Sequence, residues 1–499
     1  MNNADNNTSD HTFFDYLFQE TARKSLGLVL LCLCQFIVFK FLYPYPDFFS
    51  DSYSYIDAAA RHLDANIWPI GYSRFLLLFH HVTHSATALN LFQYLFFELA
   101  ALYFYRTFLY LFSLKKLTKN ILCAFLFYNP LNLYLANFVS SDGLFAALSL
   151  IWLTGVVWTI YRPNLYHVLV LSVSCFIAFT FRYNAMYYPI ITLPVFLLIR
   201  KGIAFKSFAI LLGPLLITPF IIFSANAAKE MSGTSQFPPI LGGWQWANNA
   251  LYIREYVQED TVRFPNAEMA ELDALARTYY RHVPPEDRVL STYVGNFFIK
   301  EWDAPLKVYM QKHYPDSLYA NNTIPWAKTA PLFKQYGIYL IKRHPLAFLN
   351  HFMVSNTKNY FLPPLEKLEV YNTGHQSMWE TARQWFHYKH HRVWAISYTF
   401  HGRLFAAYPA FFLLLNLFFI WNFFSFVRRN GFYSSDRRFA TVIGTISLLL
   451  VINCAFSIFA NIVVFRYQIF PMIALLAIVL VLNDFLDRDR TAIRHASTT

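Results

Sequence analysis

Ten apolar stretches, each close to the length that carries a helix across a bilayer, constrain this chain more than any other feature. About 20 residues suffice, because a helix advances about 1.5 Å per residue. They are Leu26–Leu42, Leu89–Phe112, Ile121–Val139, Leu144–Ile160, Tyr166–Phe181, Ala185–Ile199, Phe205–Phe223, Leu404–Phe426, Ala440–Val463 and Ile469–Leu486. With 56% hydrophobic residues, 14% charged residues and a mean hydropathy of +0.32, the whole composition agrees with them. The expected fold class is an all-α polytopic membrane protein of about ten helices with a mostly helical extracytoplasmic domain.

An even number of spans puts both termini on one side, and the basic residues say which. Arg23 and Lys24, Lys115, Lys116 and Lys119, Arg162, Arg200, Lys201 and Lys206, Arg428, Arg429, Arg437 and Arg438, and finally Arg488, Arg490 and Arg494 all fall on the same side. That side is expected to be cytoplasmic. Residues 1–225 are then expected to form an N-terminal membrane module, 226–392 an extracytoplasmic domain and 393–499 a C-terminal membrane module, with a bacterial inner membrane as the expected setting. The net charge of +12 belongs largely to the membrane flanks and implies no nucleic acid. All five cysteines lie in apolar runs, where they read as small buried hydrophobes and not as staples of an exterior domain.

The first exterior loop, 43–85, carries the densest chemistry. Its opening, YPYPDFFSDSYSYIDAAARHLDANIWPIGY, sets Asp47, Asp51 and Asp57 among aromatic residues beside the membrane. Partial desolvation raises a carboxylate's basicity, so Asp51 is a candidate catalytic base; the plainer reading is a helix N-cap. Asp142, in FVSSDGLF, falls on the same side as Asp51, again either a site acid or the cap of the next span. Arg182 and Arg466 stand in FRYNAMYYP and FRYQIFPM, at the exterior ends of their spans, where basic residues are disfavoured. A guanidinium there suits paired hydrogen bonding to a phosphate, against ordinary snorkelling to headgroups. Arg74 is a weaker candidate of the same kind.

FPPILGGWQWANNALY opens the exterior domain. Trp244 and Trp246 offer faces for stacking on a sugar and Asn248 an amide, with Tyr55 of the first loop as a further sugar contact; core packing explains the tryptophans equally well. His80, His81 and His84 lack a carboxylate at metal-ligand spacing and read as interfacial. No Gly-rich phosphate loop, CxxC pair or nucleophile elbow appears. No cofactor is demanded, though a divalent metal bridging Asp51 and a phosphate is compatible with the pattern.

These features together resemble the GT-C superfamily, the polytopic glycosyltransferases that use polyprenyl-phosphate sugars. The shared elements are the acidic first exterior loop (PDFFSDSYSY), a later acid after small residues (SSD), seven spans before a large exterior domain, and an Arg followed by Pro at a span end, as in Arg182 with Pro189 and Arg466 with Pro471. The resemblance implies Asp51 as catalytic base, Asp47 as the fallback, and the arginines as donor-phosphate ligands. The acceptor would be a glycan, lipid or protein, and the membrane itself the setting. This chain departs from members with paired adjacent acids, since Ser52 follows Asp51. Two other readings of the same layout are an envelope-polysaccharide polymerase or ligase, and a lipid or glycan transporter; transporters place their charges at mid-membrane and show repeated halves, which this sequence does not.

Overall fold

The computed structural model describes residues 13–17, 21–257, 264–286, 288–315, 323–430 and 436–498, with backbone alone for 430 and 489–498. The Asn321-Asn322-Thr323 glycosylation sequon has its asparagines outside the described residues. Among those residues all regular structure is helical, and the extended pairings are two isolated bridges, Asp47 with Phe138 and Ser377 with Arg392. Among the described residues seven helices are long and apolar enough to cross a bilayer: Ala22–Leu42, Ala86–Leu111, Asp142–Tyr161, Ile203–Ser232, Phe400–Arg429, Arg437–Ala460 and Phe465–Arg488. The chain is a multi-pass helical membrane protein.

The other three expected spans take different forms. Leu165–Phe181 and Tyr183–Leu198 are apolar but shorter. The stretch 121–139 is not one helix: Lys116–Phe127 stops, and a new helix runs from Pro130 to Asn137. Proline cannot supply the N–H an unbroken helix needs, whereas it fits a first turn, and Asn129 caps that turn by accepting from Leu131 N at 3.0 Å.

The break has a structural consequence, because the short helix ends deep in the bundle, where its last carbonyls would be stranded. Asn90 Nδ2 donates to Ala136 O at 3.0 Å, and Gln93 Nε2 donates to Ala136 O and Phe138 O at 2.9 Å each. Lys40 Nζ donates to the side chains of Asn90 and Asn137 at 3.2 and 3.0 Å. Three helices are thus tied at the turn that leads directly into Ser140, Ser141 and Asp142.

A second hydrophobic core lies in 240–352 and takes in Ile462 from the far end of the chain. Its centre is the pair Leu241–Arg254 and Thr323–Arg343. Glycines let the two backbones touch: a Cβ on Gly243 would overlap the Ala330 carbonyl, and one on Gly337 the backbone of Trp246. Phe333, Tyr336 and Leu340 of the second helix point inward and fill this core. Gly337→Val should therefore cost about 1–3 kcal/mol or more by overpacking, read as a lowered melting temperature in detergent. An unchanged melting curve would mean that the two helices are not in contact there.

Candidate functional site

Asp51 sits in the first turn of Ser50–Ala60, where the helix dipole favours an acid, but Phe49 holds the N-cap position. Its carboxylate turns away from the helix end. Oδ2 accepts from Nη1 and Nη2 of Arg466, both at 3.3 Å, and Oδ1 accepts from Ser50 Oγ at 3.3 Å. Asp142 opens the Asp142–Tyr161 helix and is likewise no cap. Its Oδ2 accepts from Arg466 Nη1 at 3.1 Å and from Ser140 Oγ at 2.9 Å, and its Oδ1 pairs with Arg182.

Arg466 lies in the turn Phe465–Gln468 that opens the last span and is 5% exposed. A guanidinium has five N–H groups. Nε donates to Glu366 Oε2 at 3.1 Å, Nη1 to Asp51 and Asp142, and Nη2 to Asp51 and to Tyr467 Oη at 3.2 Å. All five are thereby committed. Lys300 Nζ reaches the other oxygen of Glu366 at 3.2 Å. Three carboxylates, Asp51, Asp142 and Glu366, are paired with three cations, Arg182, Arg466 and Lys300, and Lys367 stands near enough to act on Glu366 as a fourth positive charge. The pairing is what permits so much charge away from water.

The groups contributed from outside the spans respond to this field. Burial pushes the Glu366 carboxyl up, but Lys300, Arg466 and Lys367 override it and hold it at about 2. Burial pulls the Lys300 ammonium down, and the Glu366 and Asp51 carboxylates more than reverse that, leaving it above its ordinary value. Glu366 also holds a left-handed backbone, φ +52°, a strained conformation for a residue with a side chain.

Arg182 follows the end of Leu165–Phe181 and differs from Arg466 in being less committed. Among the described contacts it pairs with Asp142 and lies 4.6 Å from the centre of the Tyr467 ring. Both arginines and both acids line one cavity of about 400 Å³, with Tyr55, Ser140, Gln245, Trp246 and Asn296. Most of its remaining wall is apolar, including Trp68, Met186, Phe456 and Phe459. The cavity runs from the membrane bundle to the second core, since Leu241, Gln245, Trp246 and Asn249 come from Leu241–Arg254.

Of the other expected site residues, Tyr55 and Trp246 line the cavity and the rest lie elsewhere. Asp47, the fallback base, is 3% exposed and accepts from Asn372 N at 2.8 Å, while its own N–H donates to Asn137 O at 3.0 Å. It joins three distant segments, and burial pushes its carboxyl well above the usual range. Arg74 pairs with Asp64 on the exposed side of Gly71–His80. Trp244 is fully buried in the second core, donating Nε1 to Trp326 O at 2.9 Å, and Asn248 accepts from Phe298 N at 3.1 Å. Trp246 and Trp244 are two residues apart, roughly 200° around a helix, so only one of them faces the cavity. Tyr55 bonds Ser141 Oγ at 3.0 Å at the cavity wall.

Glu366, Lys300 and Asn296 carry no local signal in the sequence; they join Arg466 and the cavity only through the fold. His80 and His84 approach with Nδ1 atoms 3.2 Å apart, and His80 stacks on Trp385 at 3.9 Å. Among the described residues no group of three or more His, Cys, Asp or Glu is arranged to hold a metal ion. No family model matches the chain, and no curated protein or solved structure matches it significantly.

Proposed function

We propose that this chain is an integral-membrane glycosyltransferase of the GT-C type that moves a sugar from a polyprenyl-phosphate donor to an envelope glycan or glycolipid on the extracytoplasmic side. The observation that carries the reading is the convergence of Asp51, Asp142, Arg182 and Arg466 on a largely apolar cavity at the ends of membrane helices. An apolar wall suits the lipid chain, the guanidinium a phosphate, and the carboxylate a proton. In this reading both termini are cytoplasmic, the second core is the extracytoplasmic domain, and the membrane is a bacterial inner membrane.

The chemistry follows from which atoms are uncommitted. Arg182 has N–H groups to give a donor phosphate, whereas Arg466 has none. Asp142 has both oxygens engaged; among the described residues Asp51 Oδ1 is met by Ser50 alone. Asp51 Oδ1 takes the proton of the acceptor hydroxyl as that oxygen bonds to the anomeric carbon. The bond from that carbon to the phosphate breaks with inversion, and polyprenyl phosphate leaves with its new charge stabilised by Arg182.

The test is release of polyprenyl phosphate by the purified chain, given a panel of polyprenyl-phosphate sugars and envelope acceptors. Arg182→Ala should raise KM for the lipid donor roughly 10- to 100-fold, the loss of one or two charge-assisted hydrogen bonds. Absence of transfer across the panel, with lipid movement in proteoliposomes, would replace this reading by transport.

A further inference from the structure

Asn296 lines the cavity, and among the described residues its side-chain oxygen meets no hydrogen-bond partner. It is 2% exposed, and its Oδ1 is buried without a hydrogen-bond partner. It also holds a left-handed backbone, φ +60°, which asparagine tolerates better than most residues but still at a cost. A buried acceptor without a partner, on a strained residue that forms part of the cavity wall, is the pattern of a group held ready for a ligand.

The backbone around it is fully employed. Asn296 N donates to Asn461 Oδ1 at 3.1 Å, and its carbonyl accepts from Ile299 N and Lys300 N at 3.1 Å each. Asn461 Oδ1 also accepts from Ile462 N at 2.8 Å, so the anchor is itself fixed. Nothing remains for the side chain to stabilise locally. Gln245 lines the same wall with its Nε2 on Asn249 Oδ1 at 2.9 Å, and Trp246 lies edge to face with Phe459 at 5.6 Å.

An amide oxygen accepts and cannot donate, so Oδ1 would repel a phosphate and select an O–H. We propose that Asn296 Oδ1 is the centre of a hydroxyl-reading subsite that receives an O–H of a sugar ring in the cavity, beside Gln245 and Trp246. The inference rests on the glycosyl-transfer reading for where the ring comes from, either the lipid-linked donor or the acceptor. Segment 296–300 then serves both the cavity and the buried charges behind it, presenting Asn296 to hydroxyls and Lys300 to the Glu366–Arg466 pair.

The test uses the full chain in nanodiscs and three probes: undecaprenyl phosphate, a set of undecaprenyl-phosphate-linked hexoses and pentoses, and a set of free methyl glycosides. Asn296→Gly removes the amide and suits the positive φ; Asn296→Asp keeps an acceptor oxygen. The expected result is a roughly tenfold loss of affinity for a sugar-bearing probe in Asn296→Gly, with undecaprenyl phosphate unaffected and most of the loss restored in Asn296→Asp. Loss on the lipid-linked set alone assigns the subsite to the donor, and loss on free glycosides assigns it to the acceptor. Equal affinities in Asn296→Gly and wild type, an equal loss for bare undecaprenyl phosphate, or no sugar-bearing probe bound by wild type would each overturn the subsite. Glycoside binding that depends on Asn296, without binding of any lipid phosphate, would keep the subsite and overturn the transfer reading.

Discussion

Asp51→Asn lowers kcat for sugar transfer by about 10²- to 10⁴-fold, the usual worth of a positioned general base, and changes KM for the lipid donor little. The substitution keeps the size of the side chain and an oxygen to meet Arg466, and it removes the proton acceptor. The lipid phosphate is held by Arg182, whose pairing with Asp142 is untouched. Two comparators sharpen the result. Asp142→Asn acts mainly on donor binding, because both of its oxygens orient arginines. Asp47→Asn weakens the clamp on Asn372 N and shows itself in melting, with kcat near wild type. Full transfer by Asp51→Asn would remove the base from this account.

The second large effect is on stability. Glu366→Gln leaves Lys300 and Arg466 with one carboxylate fewer in a buried cluster, and breaking such a pair costs about 3–5 kcal/mol. The pH dependence has a definite sign. The Glu366 carboxyl is held at about 2, below its ordinary 4.5, so its stabilisation is complete above about 4.5 and disappears as pH falls toward 2. The gap in melting temperature between wild type and Glu366→Gln should be wide at pH 7 and close across that acid window. A gap independent of pH would show that the ion pair is not what the glutamate contributes.

The spans were legible because an apolar run long enough to cross a bilayer has few other fates. Even so, Asn129 and Pro130 interrupt one run with polar capping and a missing N–H that a hydropathy pattern averages away. Asp51, Asp142, Arg182 and Arg466 were legible for a related reason: residues at the same ends of neighbouring spans arrive at the same depth. Glu366 could not be found that way, since it meets Arg466 from a turn 100 residues away. Lys300 and Asn296 enter through the second core, where no periodicity marks a contact. Trp244 and Asn248 look as polar-aromatic in the sequence as Trp246 and Gln245, and only the packing against Thr323–Arg343 separates wall from interior.

Arg466 ends its contacts with no donor to spare. An anion entering the cavity therefore finds no vacancy on this guanidinium and is left to Arg182. Asp51 is joined to Arg466 through Oδ2 by two 3.3 Å contacts, which leaves Oδ1 outside the grip. One arginine thus works as a fixed hub that aims the proton acceptor, and the other as the berth for the negative guest, so the two duties can be lost separately.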